Sequence, residues 1–506
     1  MYAVEMRGIT KYFRNSAAND HIDFYVEKGE IHSLLGENGA GKTTLMNILF
    51  GMYSADGGEI IINGKKTDIT SALDAINHGI SMVHQHFMLV DTLTVAENIV
   101  LGNEPRKGIM FDREGAFNKV QEIADRYHFQ LDSREMLGNL SVGVKQRVEI
   151  LKALYHESDV LILDEPTAVL TPQEVDELFE ILMGLKKDGK TVIIITHKLK
   201  ETMAIADSVT ILRKGQLIGR YPIGEVNEQM LANLMVGRQI SLTTERRPMV
   251  KGDEKVVLKD IVYKKDGKNV LDHLDLTVHA GEILGIAGVE GNGQTELIEV
   301  LTGINTDYDG TMTVNGKDLS HSSAGEMLKH IGHIPEDRGK FGYVKTMPNW
   351  ENLILGYHTD PRYMGKFGIM KNKKIRKDAE ASIEEFDIRT EGIDQLTHSL
   401  SGGNIQKLIV GRVIKHQSGI VLAAQPTRGV DIGAIEYIHG RLVELRDSGA
   451  AVILISADLD EITGLSDTIA VIYEGKIVQC RSSEDFSEHE LGLYMLGQNK
   501  GEEVKE

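Results

Sequence analysis

Nine consecutive residues, Gly36-Glu37-Asn38-Gly39-Ala40-Gly41-Lys42-Thr43-Thr44, have the composition of a loop that holds phosphate. Glycines at 36, 39 and 41 let successive backbone N–H groups turn inward around an anion. A helix starting at the end of the loop adds its positive N-terminal end at the same point. Lys42 is then placed to reach the β- and γ-phosphates of a nucleotide, and the Thr43 hydroxyl to ligate Mg²⁺. The competing reading is a glycine turn with a surface lysine. It gives way because the full pattern sits between an apolar strand, Ile31 to Leu35, and a helix-like run, Leu45 to Phe50.

Five other residues could complete such a site. The apolar run Val160 to Leu163 ends on Asp164-Glu165, and charges at the C-terminal end of a strand in an α/β fold point into the ligand crevice. Asp164 can hold Mg²⁺ through water, and Glu165 can polarise the water that attacks the γ-phosphate. A solvated turn would be the ordinary reading of Asp-Glu after an apolar run, and the upstream loop reverses it. Gln85 follows a strand-like run and precedes a helical stretch, so it could touch both Mg²⁺ and a moving subdomain. Alone it would read as a surface glutamine. His197 closes the strand Val192 to Thr196, where it could hydrogen-bond the γ-phosphate or orient the water; a lone histidine there would be structural. Phe13 is a candidate adenine platform, with a core or surface aromatic as the alternative.

The elements that must position these residues occur twice. Gly288-Val289-Glu290-Gly291-Asn292-Gly293-Gln294-Thr295-Glu296 repeats the loop 252 residues later. Leu400-Ser401-Gly402-Gly403-Asn404 matches Leu140-Ser141-Val142-Gly143-Val144, and Ala423-Ala424-Gln425-Pro426-Thr427 matches Leu163-Asp164-Glu165-Pro166-Thr167, both 260 residues on. Ile455-Ser456-Ala457 keeps the same spacing from Ile195-Thr196-His197. In each copy short β-branched strands alternate with helical stretches, which implies a mainly parallel, helix-covered sheet. A longer helical insert is expected near Asp112 to Phe129 and again near Lys371 to Phe386. The expected division is a first domain over 1–238, a polar linker over 239–255, a second domain over 256–496 and a charged, disordered tail over 497–506.

Composition narrows the function. A chain of 506 residues can bury two or more cores. A net charge of −19 argues against nucleic acid as a partner, because that binding draws on Lys and Arg. Cys480 is the only cysteine, which excludes an intramolecular disulfide and a cysteine zinc cage. No apolar run reaches the roughly 20 residues needed to span a bilayer. Glu5 and Arg7 stand where a signal peptide would need an apolar core. The expectation is a cytoplasmic protein that reaches a membrane through a partner.

Phosphate loop, Gln85, a Leu-Ser-x-Gly signature, Asp164-Glu165 and His197, in this order, resemble the nucleotide-binding domain of ABC transporters. Two fused copies cover nearly all of the chain. Gly-Asn-Gly-Gln in the second loop, Pro335-Glu336-Asp337-Arg338 and Gln425-Pro426-Thr427-Arg428-Gly429-Val430-Asp431 are similar to the simple-sugar and nucleoside importer ATPases, and His84-Gln85-His86-Phe87-Met88-Leu89 leans toward nucleosides. The resemblance implies an α/β fold of two tandem P-loop NTPase domains, each with a mainly parallel core sheet, a β subdomain and a helical subdomain. It also implies that ATP held with Mg²⁺ by one domain's loop meets the signature of the other, so that Ser401, Gly402 and Gly403 would serve the loop at Lys42. The second copy lacks the loop lysine (Gln294), the loop glutamine (Glu336), both carboxylates (Ala424, Gln425) and the histidine (Ala457), while the first copy's signature is weakened to Ser141-Val142-Gly143-Val144. One competent and one degenerate site are expected.

By the same resemblance the protein would be an ATPase at the cytoplasmic face of the cell membrane. It would be bound to two transmembrane permeases and supplied with solute by an extracytoplasmic binding protein. Two alternatives remain, a twin-cassette ATPase acting on ribosomes and a regulatory scaffold that binds nucleotide without turnover. The short linker and the defective second copy count against the first. Intact Lys42, Asp164, Glu165 and His197 count against the second.

Overall fold

Side-chain alternation decides how the first unit is layered. Every residue of the strands Ile31–Leu35, Val160–Asp164 and Thr191–Thr196 is buried, the condition of a parallel sheet covered on both faces. Successive side chains point to opposite faces. Leu161, Leu163, Val192 and Ile194 therefore join an apolar cluster with Ile99, Phe117 and Leu151, which come from the helices Val95–Val100, Arg113–Arg126 and Val142–Tyr155. Val160, Ile162, Ile193 and Ile195 join a second cluster with Val4, Met6 and Phe24, from the antiparallel strands Tyr2–Phe13 and Ser16–Glu27.

The computed structural model describes all residues except 14–15, 85–87, 128, 157, 168–169, 171, 242–245, 290, 417–418 and 498–506. The chain divides into two units, Met1–Ile240 and Ser241–Glu506. In the first, a six-stranded sheet runs in the order Gln216–Pro222, Ser208–Arg213, Ile31–Leu35, Thr191–Thr196, Val160–Asp164 and Ile80–Val83. All its neighbours are parallel except the first pair. A four-stranded antiparallel sheet holds Ser16–Glu27, Tyr2–Phe13, Gly57–Ile62 and Lys65–Lys66.

The second unit repeats both sheets strand for strand. Its six-stranded sheet runs Lys476–Ser482, Thr468–Tyr473, Ile283–Ala287, Ala451–Ser456, Ile420–Ala424 and Gly332–Ile334, and its four-stranded sheet holds Lys268–His279, Glu254–Lys265, Asp309–Val314 and Lys317–Asp318. The expected α/β fold of two tandem P-loop units is thus what the chain adopts.

The inserts are helical at Arg113–Arg126 and Asn372–Glu385. Asp112 caps the first, accepting a hydrogen bond from Gly115 N at 3.0 Å. Around the expected linker, Ile240 is buried, with its N–H on Asn233 Oδ1 at 3.0 Å, and the strand Glu254–Lys265 starts at the linker's other end. Linker residues 242–245 and tail residues 498–506 lie outside the described residues.

Candidate nucleotide site

Three neighbouring parallel strands bring the chemistry together. Thr191–Thr196 lies between Ile31–Leu35 and Val160–Asp164, with Thr196 beside Leu35 and Ile195 beside Asp164. The loop, the carboxylate pair and His197 all follow the C-terminal ends of these strands, which is where ligands bind in an open parallel sheet.

The loop is shaped by close backbone approaches. A Cβ at Gly36 would collide with the Leu212 carbonyl, and one at Gly41 with the carbonyl of Ala18. Gly41 also takes φ 100° as the residue capping the helix Lys42–Leu49, a left-handed conformation open to glycine without penalty. Glu37, Asn38, Gly39 and Ala40 form the rest of the turn, closed by Ala40 N to Glu37 O at 3.0 Å. Lys42 is buried, and its Nζ donates to Gly36 O at 2.6 Å and to Glu37 O at 3.1 Å. Burial lowers its ammonium below the ordinary lysine value, opposed by the charges of Glu165 and Asp164. Thr43 and Thr44 form the first turn of the helix.

Asp164 is buried at the strand end, and its carboxyl is pushed up to about 6 by burial and then by Glu165, against a hydrogen bond from Thr43 and the charge of Lys42. Glu165 leaves the strand with φ 47°. This left-handed turn is strained for a residue other than glycine and belongs to sites where a side chain must be aimed. The Glu165 N–H remains tied to Ile195 O at 2.9 Å. Its Oε1 lies 3.0 Å from Nδ1 of His197, and that hydrogen bond holds the carboxyl below the usual carboxylate range.

A hydroxyl bonded to a buried carboxylate is an oxygen donor set suited to a hard cation such as Mg²⁺, which keeps waters and takes its other ligands from phosphate. The residues present fit that ion, and Thr43 and Asp164 are the side chains that could hold it. Gln85, the third expected metal contact, lies outside the described residues. Phe13 ends the strand Tyr2–Phe13 with its ring exposed and set edge-on to Tyr53 at 5.4 Å.

A network that the sequence reading missed braces the turn after Glu165. Thr167 Oγ1 donates to Glu201 Oε2 at 2.5 Å, and Lys198 Nζ donates to Thr167 O at 3.1 Å and to Glu201 Oε1 at 2.9 Å. Because Lys198 follows His197, the brace couples the two loops. In the second unit Thr427 Oγ1 donates to Glu461 Oε1 at 2.8 Å. Threonine and glutamate are each repeated 260 residues on, and that shared spacing is the signal by which they could have been found.

The second unit repeats the backbone turns of the first with different side chains on them. Gly293 has φ 103° before the helix Gln294–Leu301, and Gln425 has φ 46° with its N–H on Ile455 O at 2.7 Å. Gln294 is buried, and its Nε2 donates to Ile286 O at 3.0 Å. Glu336 pairs with Arg428, while Arg338 donates to the carbonyls of Arg428 at 2.9 Å and Gly429 at 3.1 Å. Ser401 precedes the helix Gly402–His416 and accepts from Asn404 Nδ2 at 2.8 Å. Cβ atoms at Gly402 and Gly403 would press on Arg338 and Asp431. In the first unit Ser141 caps Val142–Tyr155, accepting from Val144 N at 3.4 Å.

The raised Asp164 carboxyl sets a pH-dependent stability. Its folded value, about 6, lies above its ordinary 3.8, so between those values the native state binds more protons than the unfolded chain. The protonated carboxyl therefore favours folding at low pH, and this contribution disappears as pH rises through 6. At pH 7.5 the ionised group should cost about 3 kcal/mol. Asp164→Asn is expected to raise the first unit's melting temperature by roughly 6–12 °C at pH 7.5 in nucleotide-free protein, the gain vanishing near pH 4. Scanning calorimetry at both pH values checks this, and an equal shift at each would refute it.

Comparison with known proteins matches a family described as "ABC transporter" to residues 19–168 and 271–428. Over 509 residues the chain is 49% identical to the guanosine import ATP-binding protein NupO of Bacillus subtilis, covering 100% of this chain and 99% of that protein. It is 46% identical to the nucleoside import ATP-binding protein NupA of Lactococcus lactis subsp. cremoris, covering 99% of each. It is 44% identical to the glucose import ATP-binding protein TsgD13 of Haloferax volcanii, covering 98% of this chain and 96% of that one.

Proposed function

The chain belongs to the ABC transporter family, as an ATP-binding, ATP-hydrolysing protein, and we propose that it powers nucleoside import through two transmembrane permeases at the cytoplasmic face of the membrane. The observation that carries the choice of solute is full-length similarity to the guanosine and nucleoside import proteins, at 49% and 46%, against 44% for the glucose import protein. No helix among the described residues is long and apolar enough to cross a membrane; in this reading the permeases supply the translocation path. An extracytoplasmic binding protein would deliver the solute to them.

In this reading the first unit holds the competent site. Lys42 and the loop N–H groups bind the β- and γ-phosphates, and Phe13 supports the adenine. Thr43, Asp164 and Gln85 would hold Mg²⁺, which would supply charge neutralisation on the phosphates. Glu165 takes a proton from the attacking water, and His197 orients that carboxylate and the γ-phosphate. Ser401, Gly402 and Gly403 serve this nucleotide as the signature. The second unit's own loop is degenerate: Gln294 is turned to a backbone carbonyl, and neither Ala424 nor Gln425 can replace the two carboxylates.

The test is uptake of labelled guanosine by proteoliposomes containing the assembled transporter, with ATP enclosed in the lumen that this subunit faces and the solute-binding protein supplied outside. Guanosine uptake should be competed by other nucleosides and left unchanged by glucose or ribose. Ser401→Ala should lower it by about tenfold or more, as expected where a group is used only in the closed, reacting state, and Ser141→Ala should leave it near wild type. Competition by sugars alone would sink the nucleoside assignment. A severe Ser141→Ala with a mild Ser401→Ala would sink the assignment of the competent site.

A further inference from the structure

Each unit carries, at the same place in the repeat, a short hairpin that presents apolar side chains to solvent. In the first, Arg106–Lys107 pairs antiparallel with Met110–Phe111 across a two-residue turn. Gly108 takes φ 64° there, the positive φ that the first position of a tight type II′ hairpin turn requires. Ile109 is 99% exposed and Met110 73%. In the second unit Met364 bridges Met370, and Gly365 N donates to Ile369 O at 2.7 Å. Phe367 is 98% exposed and Ile369 68%.

Gly108-Ile109-Met110 and Gly368-Ile369-Met370 stand 260 residues apart, the spacing of the signature and of the carboxylate strand. The apolar tip has therefore been kept in both copies while the catalytic groups of one were lost. Single exposed apolar residues are ordinary, but several on one protruding tip mark a contact surface. Phe367 adds an independent sign. Its φ of 61° is a left-handed conformation disfavoured for a bulky side chain, and such strain persists where the surrounding structure has a use for it. Here it holds an aromatic ring in solvent.

Charge identifies the surface that such a tip fits. From Pro361 to Lys377 there are seven Lys and Arg and no Asp or Glu, in a chain whose net charge is −19. Lys366, Lys371 and Lys373 around the second tip are exposed, with Lys374 also exposed but 3.5 Å from Asp378; beside the first tip Arg106 is exposed, and the exposed Lys107 pairs with Asp112 at 3.2 Å. Apolar side chains set among cations match the interface of an anionic bilayer, where the former enter the acyl boundary and the latter meet headgroup phosphates. We propose that both hairpins contact anionic lipid directly, in addition to any attachment through permeases. This goes beyond the import reading and does not depend on which solute is carried.

The experiment is flotation of the full-length protein, without permeases, on vesicles of phosphatidylcholine with or without phosphatidylglycerol. Wild type should float with the phosphatidylglycerol vesicles, and weakly with phosphatidylcholine alone or in about 0.5 M salt, where exposed charges are screened. Combining Ile109→Ser, Met110→Ser, Phe367→Gly and Ile369→Ser should lower binding by about tenfold or more, with ATPase rate and melting temperature unchanged. Phe367→Gly alone should melt no lower than wild type, because glycine accepts that φ. No flotation of wild type, or equal flotation of the combined variant, overturns the proposal. A variant that floats normally yet fails to assemble with the permeases would assign the tips to a protein partner and overturn it too. In every case the guanosine uptake assay reports separately on the import reading.

Discussion

Glu165→Gln lowers steady-state ATP hydrolysis by about 10²-fold or more, the scale of removing a positioned general base, and leaves ATP binding intact. The substitution keeps shape and length, so the turn at φ 47° and the N–H bond to Ile195 O can persist. What is lost is the charge. The Glu165 carboxyl is held below the usual carboxylate range chiefly by its hydrogen bond with His197, and a neutral amide cannot accept the water's proton. A 10²-fold loss corresponds to about 2.7 kcal/mol of transition-state stabilisation. Hydrolysis at saturating ATP, alongside equilibrium binding of labelled ATP, separates the outcomes. Turnover within twofold of wild type would remove Glu165 from the base role; loss of binding as well would mean that the change had damaged the loop.

Lys42→Ala is expected to reduce hydrolysis at least as severely and, unlike Glu165→Gln, to weaken ATP binding. Phosphoryl transfer depends on positioning and charge neutralisation more than on covalent help from the protein, and Lys42 is a buried cation beside two carboxylates. Removing it leaves Asp164 and Glu165 repelling each other without the charge that now opposes the rise of Asp164. The equivalent change in the second unit, Gln294→Ala, should alter turnover by less than about twofold. There the side chain is engaged with Ile286 O, and a neutral amide supplies none of the charge neutralisation on which the reaction relies. ATPase rates of the assembled transporter, with melting curves for both variants, decide the matter. If Gln294→Ala abolished turnover while Lys42→Ala spared it, the competent site would belong to the second unit.

Strands and helices are legible in the sequence where hydrophobic pattern and loop chemistry agree. Ile31–Leu35 and the two insert helices fall where expected because each is a local pattern, an apolar run before a glycine loop or a helical period, which in the first insert follows the capping Asp112. Thr167, Glu201 and Lys198 escaped that reading. Their side chains meet across two loops some thirty residues apart in sequence, and residues of these types are common on any helix surface. The hairpin tips escaped for another reason: a short run such as Ile109-Met110-Phe111 reads as core until its burial is known.

By itself the sequence determined the repeat, the glycine-rich loop that leads into Lys42 and Thr43, and the replacement of that lysine, of Asp164-Glu165 and of His197 by other residues in the second copy, because each is a matter of which residue stands at a given spacing. Only the tertiary structure decided what those residues feel. Asp164 rises to about 6 because strands adjacent in the sheet bury it beside Glu165. Glu165 and Gln425 share one left-handed turn although one has a base to aim and the other does not. Gln294 finds its partner in a backbone carbonyl beneath its own loop. Conformation, burial and pairing are set by neighbours distant in the chain, and electrostatic energies depend on those distances and on the exclusion of water.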